Sequence, residues 1–217
     1  MPKQKTYLIA IVPSHSICLE VFKYKEDLAN RFKSFSALKS VPHITLKRPF
    51  QFSSSDESLM NWFTKLDLNL NSFSQELKNF SFFENKNDLV IYIKPIRNLK
   101  IITLQRYLLS KFEATYSNAF TTQYDLCYQP HLTIAHCDLS PDFFKIAWNE
   151  YRDIRFKGSF LVNEIHLLEL HLNNWIIRHS LPFNVSKHTF MDSDKSNSEL
   201  GNFTKKKGLN YSQLAIR

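Results

Sequence analysis

The sequence predicts an α+β fold in which the same structural unit occurs twice. A short apolar strand, an amphipathic helix and a second strand with the pattern Pro-His-aliphatic-Thr-aliphatic follow one another in residues 7–43 and again in residues 89–131. A repeat of this kind indicates two copies of one supersecondary unit. The chain has 217 residues, of which 43% are hydrophobic and 22% charged, so it is large enough to bury a core of its own.

The first copy begins with an apolar run over residues 7–12, which Pro13 closes, as expected of a buried strand. A helix is predicted from about Ser16 to Phe32, because apolar side chains recur there every three or four positions. The copy ends on the strand that carries His43 and Thr45.

The second copy repeats this order. Residues 89–94 form an apolar strand, and Asn98 can cap the helix that follows. The apolar positions on one face of that helix are Ile101, Leu104, Leu108 and Phe112. The copy ends on the strand that carries His131 and Thr133.

Further elements lie between and after the copies. Ser54-x-x-Glu57 is a capping box that opens a helix, and residues 77–83 pair with residues 89–94 in a hairpin. Ser140-Pro141-Asp142 starts another helix. Residues 160–172 and 175–183 are predicted to be two strands joined near Asn173-Asn174.

We therefore expect a single bilobed domain over residues 1–184, with lobes built on residues 7–50 and 89–137. From about residue 185 the pattern stops, and the rest is rich in Ser, Asn, Asp and Lys. Such a composition is typical of a weakly ordered tail, here a basic one with Lys205-Lys206-Lys207 inside it.

Composition narrows the classes of function. A glycine-rich phosphate loop is excluded, because the chain has only three glycines and two of them, Gly201 and Gly208, lie near its end. The net charge of +8 favours binding of polyanions such as RNA or nucleotides, although a lysine-rich composition that reflects no binding partner explains this charge equally well.

Three cysteines without CxxC spacing indicate reduced thiols in a cytoplasmic protein. No apolar run is long enough for a transmembrane helix, so we expect no membrane association, and we expect a monomer.

The duplicated motif indicates acid–base chemistry on a phosphodiester. Residues i and i+2 share one face of a strand, so His43 lies beside Thr45, and His131 beside Thr133. An imidazole has an unperturbed pKa of about 6.5, so one histidine can take a proton from the attacking oxygen while the other protonates the leaving oxygen. Threonine hydroxyls can donate hydrogen bonds to the phosphate oxygens. This scheme needs no metal and no cofactor.

These residues resemble the paired His-x-Thr signature of the 2H phosphoesterases, and within them the 2′-5′ RNA ligase and cyclic phosphodiesterase group. Two such motifs, each ending the same repeated unit, are far more specific than one. The resemblance covers residues 7–183. It implies two antiparallel sheets flanked by helices around a central cleft, and action on 2′,3′-cyclic phosphates or 2′-5′ linkages, with reversible 2′-5′ ligation as a further activity. It also implies that His43 and His131 are the acid and base and that Thr45 and Thr133 hold the phosphate.

Three further residues are candidates for substrate binding. Alternation along the strand puts Lys47 on the face of His43 and Thr45, at the rim of the cleft, and Arg48 on the opposite face. Phe50 and Tyr128 flank the motifs and could stack a base, but core packing explains an aromatic residue equally well in a chain with 19 phenylalanines.

Other interpretations remain. A metal cluster of His131 with His136 and Cys137 is disfavoured, because alternation puts the first two on opposite faces. A catalytically silent RNA-binding module could use the same cleft and the basic surface. The substrate could also be a small nucleotide-derived ester, such as ADP-ribose cyclic phosphate or a 2′-5′ oligoadenylate.

Overall fold

The computed structural model describes residues 4–52, 56–85, 88–116 and 121–184. Ser54 of the predicted capping box and the predicted tail lie outside these residues. The strands are β1 (Lys5–Ile11), β2 (Ile44–Phe52), β3 (Phe73–Asn85), β4 (Asp88–Pro95), β5 (Leu132–Ala135), β6 (Lys157–Val162), β7 (Glu164–His171) and β8 (Asn174–Pro182). The helices are α1 (His15–Phe32), α2 (Asp56–Thr64), α3 (Leu99–Tyr116), α4 (Gln123–Leu126) and α5 (Pro141–Tyr151), with a 3-10 turn at Ser36–Lys39.

All eight strands belong to one sheet, in the order β6-β3-β4-β5-β2-β1-β7-β8, and every neighbouring pair is antiparallel. The expectation of two separate sheets is therefore wrong. The reason is a single pairing, Ile44 opposite Leu132, which joins β2 to β5 in the middle of the sheet. The order is symmetric about this junction, because each half places its His-x-Thr strand innermost and the apolar strand of the same copy beside it.

The helices pack across the junction. Helix α1 of the first copy contacts β5 of the second, and α3 of the second copy contacts β2 of the first. The side chains of Ile44 and Leu132 are fully buried in the core that this packing creates. The helices thus cover one face of the sheet at the junction, where burial of apolar surface stabilises the fold.

The predicted strand over residues 160–172 is two strands. Asn163 separates β6, which pairs with β3, from β7, which pairs with β1 in the other half of the sheet. Side chains alternate between exposed and buried along β6, whereas most of β7 is buried on both faces. A continuous apolar run does not reveal such a crossing, because both strand types contain apolar residues.

Two of the predicted helix starts agree with the structure. The Ser140 Oγ accepts a hydrogen bond from the Phe143 N–H at 3.3 Å, and Pro141 occupies the first turn of α5. The Asn98 Oδ1 accepts one from the Lys100 N–H at 3.0 Å at the start of α3. None of the helices in the described ranges combines the length and the apolar character needed to cross a bilayer.

Candidate active site

A cavity of about 760 Å³ lies where β2 and β5 meet. His43 and Thr45 line it from one strand, and His131 and Thr133 from the other. The pairing of Ile44 with Leu132 explains this arrangement. Because both side chains enter the core, the residues on either side of each one point to the opposite face of the sheet. All four polar side chains of the two motifs therefore share one cavity.

Both histidines are held in the same way. The Nδ1 of His43 lies 2.8 Å from the Val41 carbonyl oxygen, and the Nδ1 of His131 lies 2.7 Å from the Gln129 carbonyl oxygen. A carbonyl oxygen only accepts, so Nδ1 carries the hydrogen in both rings. This fixes each ring orientation and leaves each Nε2 as the nitrogen that exchanges a proton with a ligand.

Burial makes both imidazoles hard to protonate. Desolvation lowers the pKa of His43 to about 4, and Lys25 and the neighbouring His131 contribute to the lowering, against the hydrogen bond to Val41. Desolvation also lowers the pKa of His131, and Arg48 adds to this effect. In the free protein both rings are consequently neutral near pH 7. An anion between them would raise both pKa values.

The expected position of Lys47 at the rim is wrong, because this side chain is buried and only 1% exposed. Thr45 of β2 lies opposite Ala10 of β1, and Lys47 lies opposite the adjacent residue Ile9. β2 therefore contains an extra residue, Leu46, between Thr45 and Lys47. Such a β-bulge shifts the alternation by one. Lys47 therefore enters the core.

Arg48 takes the place expected for Lys47. Its side chain is exposed and lines the cavity. Its guanidinium lies 4.6 Å from the centre of the Tyr124 ring, which also lines the cavity and is 60% exposed. An exposed cation–π pair of this kind offers a positive charge and an aromatic face to a ligand. Sequence alternation missed Arg48 because nothing in the sequence marks the bulge.

The buried carboxylate of Asp125 stabilises the part of the cavity rim that contains Arg48 and Tyr124. Its Oδ2 lies 3.1 Å from the Lys47 Nζ, its Oδ1 accepts the Arg48 N–H at 3.1 Å, and Thr122 donates to it from both its backbone and its hydroxyl at 2.9 Å. Burial raises the pKa of Asp125, but these hydrogen bonds and the Lys47 charge lower it more. Asp125 thus connects α4 to β2. This connection keeps Tyr124 of α4 next to Arg48 of β2.

Of the two aromatic candidates, only Tyr128 lines the cavity. Phe50 is 4% exposed and packs edge-on against Phe112 at a centroid distance of 4.7 Å, so it belongs to the core and the expectation that it faces a ligand is wrong. The Tyr128 hydroxyl is buried without a hydrogen-bond partner among the described residues. A buried phenol of this kind is costly unless a ligand completes its hydrogen bonding.

Lys25 is a further cavity residue that the sequence did not single out, because it occupies an ordinary position on an amphipathic helix. Its buried ammonium donates to the carbonyl oxygens of Ala37 and Ser40, each at 2.9 Å. Desolvation lowers the pKa of Lys25 to about 7. Lys25 therefore fixes the segment that ends at Val41, whose carbonyl orients His43.

One group of side chains on the cavity wall has the donor atoms of a metal site. The donor atoms of Asp88, His136 and Cys137 lie within 4.8 Å of one another. His131 is not a member of this group. The expectation that His131 and His136 lie on opposite faces is nevertheless wrong, because both line the cavity. Thr133 and Ala135 lie opposite the adjacent residues Tyr92 and Ile91 of β4, so β5 contains an extra residue, Ile134, and this bulge shifts the alternation by one.

Known proteins share this fold. The family model of the 2′-5′ RNA ligase superfamily matches residues 13–174. A search of curated proteins finds no significant match. TT0787 of Thermus thermophilus is similar in structure, with a TM-score of 0.59 and 14% identity over 83% of this chain and 99% of that one. E. coli LigT complexed with 3′-AMP aligns over the same shares of the two chains, with a TM-score of 0.56 and 15% identity. E. coli LigT complexed with NADP+ gives a TM-score of 0.56 at 13% identity, again over 83% of this chain and 99% of that one.

The buried Lys47–Asp125 pair gives a test of the rim. Lys47→Ala or Asp125→Ala is expected to lower the free energy of unfolding by about 3–5 kcal/mol, because each leaves one buried charge unpaired. Lys47→Ala combined with Asp125→Ala is expected to cost less than the sum of the two single changes, because neither buried charge is then left without its partner. Urea unfolding measures all three. Removal of the exposed pair Arg152–Asp153 is the control and should cost under about 1 kcal/mol; strictly additive effects at Lys47 and Asp125 would contradict the coupling.

Proposed function

The chain belongs to the 2′-5′ RNA ligase superfamily of 2H phosphoesterases, and we propose that it is a phosphodiesterase that acts on 2′,3′-cyclic phosphates or 2′-5′ linkages of RNA or nucleotides. One observation supports this proposal above the others. Two histidines line one cavity, and a backbone carbonyl binds the Nδ1 of each, so two Nε2 atoms are available to the same ligand. Acid–base catalysis at phosphorus needs one group that accepts a proton and one that donates a proton, and two such nitrogens can take these roles.

In the proposed reaction, a water oxygen attacks the phosphorus of a 2′,3′-cyclic phosphate. The Nε2 of one histidine accepts the proton of that water, and the new P–O bond forms. The Nε2–H of the other histidine protonates the ribose oxygen as its bond to phosphorus breaks. The product is a phosphate monoester on the remaining ribose oxygen. One histidine has then gained a proton and the other has lost one. Exchange with solvent restores the starting protonation states before the next turnover.

Thr45 and Thr133 are proposed to donate hydrogen bonds to the non-bridging phosphate oxygens, whose negative charge increases in the transition state. Arg48 supplies the positive charge that the sequence had suggested for Lys47. Its partner Tyr124, together with Tyr128, offers aromatic surface on which a nucleobase could stack. No step requires a metal or another cofactor.

The same residues support 2′-5′ ligation, which is the reverse of cleavage of a 2′-5′ linkage. A ribose 5′-hydroxyl in the place of water would attack the cyclic phosphate, and breakage of the bond to the 3′ oxygen would leave a 2′-5′ linkage. The histidine that accepts a proton in one direction donates it in the other. Nucleotides as ligands agree with the complexes of E. coli LigT with 3′-AMP and NADP+.

We also propose how the chain is divided into a catalytic domain and an extension. Residues 1–184 would form one catalytic domain with two equivalent lobes, and residues 185–217 a basic extension whose part in catalysis is left open. We take the enzyme to be a monomer that works in the cytoplasm. The three free thiols, Cys18, Cys127 and Cys137, agree with a reducing compartment.

The first prediction concerns the two histidines. His43→Ala and His131→Ala are each expected to lower kcat for uridine 2′,3′-cyclic phosphate by about 10²–10⁴-fold, because each removes one of the two proton transfers. The exposed His171, which does not line the cavity, is the control, and His171→Ala should leave kcat unchanged. Addition of EDTA should not lower it. Salt-dependent RNA binding by the wild-type protein without turnover of any cyclic phosphate would support the silent binding module instead.

The second prediction is an acidic optimum. The pKa of His43 is about 4 and that of His131 is below 6.5. Whichever is the base, kcat/KM rises as the base loses its proton and falls as the acid loses its own, so its maximum should lie below pH 6.5. The bound phosphate raises both pKa values, so the maximum of kcat should lie at higher pH than that of kcat/KM. A flat profile of kcat/KM between pH 4 and 9 would contradict the pair.

The third prediction concerns the positive charge of Arg48. Arg48→Ala is expected to raise KM by about tenfold, the effect of one charge-assisted hydrogen bond to phosphate, while the protein stays folded. The exposed Arg97, which does not line the cavity, is the matched control. Steady-state kinetics at two salt concentrations measures the effect, which should shrink as salt screens the charge. An equal rise in KM for Arg97→Ala would show that only net charge matters.

A further inference from the structure

We propose that Asp88, His136 and Cys137 form a binding site for a divalent cation of the zinc class on the wall of the same cavity. A carboxylate, an imidazole and a thiol offer three different donor atoms, all within 4.8 Å of one another. Among the residues that the structure describes, no other group of three such side chains brings its donors this close. All three also line the cavity.

The topology of the sheet brings the three residues together. β4 and β5 are antiparallel, with Ile91 opposite Ala135, so the start of β4 lies beside the end of β5. Asp88 is the first residue of β4, and His136 and Cys137 follow the last residue of β5. The cluster is therefore fixed by backbone pairing.

Hydrogen bonds already hold the donor atoms near each other. The Asp88 Oδ1 accepts the Cys137 N–H at 2.7 Å, which leaves its second oxygen for a cation. The Nδ1 of His136 lies 2.8 Å from the Cys137 Sγ. Around a tetrahedral zinc ion, sulfur, nitrogen and oxygen donors are about 3.3–3.6 Å apart, as its bond lengths require. Side-chain shifts of about an ångström, without movement of the strands, bring the cluster to this geometry.

The donor set selects the metal. Cysteine and histidine bind zinc and related transition ions, whereas Mg²⁺ and Ca²⁺ prefer oxygen donors alone. Three protein ligands leave one coordination position, which would face the cavity. The neighbouring Asp138 carboxylate accepts bonds from Ser34, Phe35 and Ser36, so it anchors the segment and is not a ligand.

The binding of a metal at this site does not depend on the proposed function.

The test measures binding of the metal by the full chain. Isothermal titration with Zn²⁺ should give one site, and titration with Co²⁺ should give the ultraviolet charge-transfer band of a cobalt–thiolate bond. Cys137→Ser and His136→Asn should each weaken binding at least tenfold, since even outer-shell partners contribute that much. Cys127→Ser is the matched control, because Cys127 is an exposed cysteine that lines the same cavity but lies outside the cluster. Mg²⁺ should not compete.

Two outcomes would overturn the site. Equal loss of the cobalt band in Cys127→Ser and Cys137→Ser would mean that the metal does not bind specifically at this cluster. Loss of binding in His43→Ala with full binding in Cys137→Ser would place the metal between the histidines of the His-x-Thr motifs. Zinc binding by a His43→Ala variant with no phosphodiesterase activity supports the site, so its success or failure is separate from that of the proposed reaction.

Discussion

The backbone pairing of Ile44 with Leu132 is the constraint on which the rest of the structure depends. It joins the two halves of the sheet and brings the two His-x-Thr motifs onto one face. The helices reinforce it, because each packs against the motif strand of the other copy. One pairing thus couples the hydrophobic core to the geometry of the cavity. A shift of either strand by one residue would turn the histidine of that strand into the core, so the register has to be specified strongly.

The cavity concentrates basic groups in a poorly solvated place. His43, His131 and Lys25 all have lowered pKa values, with desolvation as the largest cause. The buried Lys47 has the Asp125 carboxylate as its partner, whereas the ammonium of Lys25 donates to backbone carbonyls. Binding of an anion would offset the cost of charge in such a cavity. Desolvation therefore keeps the imidazoles neutral in the free protein, and a bound phosphate would favour protonation of one of them.

The sequence was informative where its pattern is local and periodic. Strand alternation was enough to group His43 with Thr45 and His131 with Thr133, and helix caps such as Ser140 were readable from residue type. It failed where the backbone departs from regularity. The bulge at Leu46 exchanged the positions of Lys47 and Arg48, and Asn163 divided a single apolar run between two halves of the sheet. Phe50 could not be placed, because an aromatic residue is equally common in a core and beside a ligand.

A crystal structure with a vanadate complex of uridine would show whether the two histidines act on one phosphate, because vanadate adopts the geometry of the phosphorus transition state. We expect vanadium between the Nε2 atoms of His43 and His131, each within about 3.2 Å of an apical oxygen. We also expect the hydroxyls of Thr45 and Thr133 to contact the equatorial oxygens. Vanadate bound elsewhere, or in contact with only one of the two histidines, would contradict this expectation.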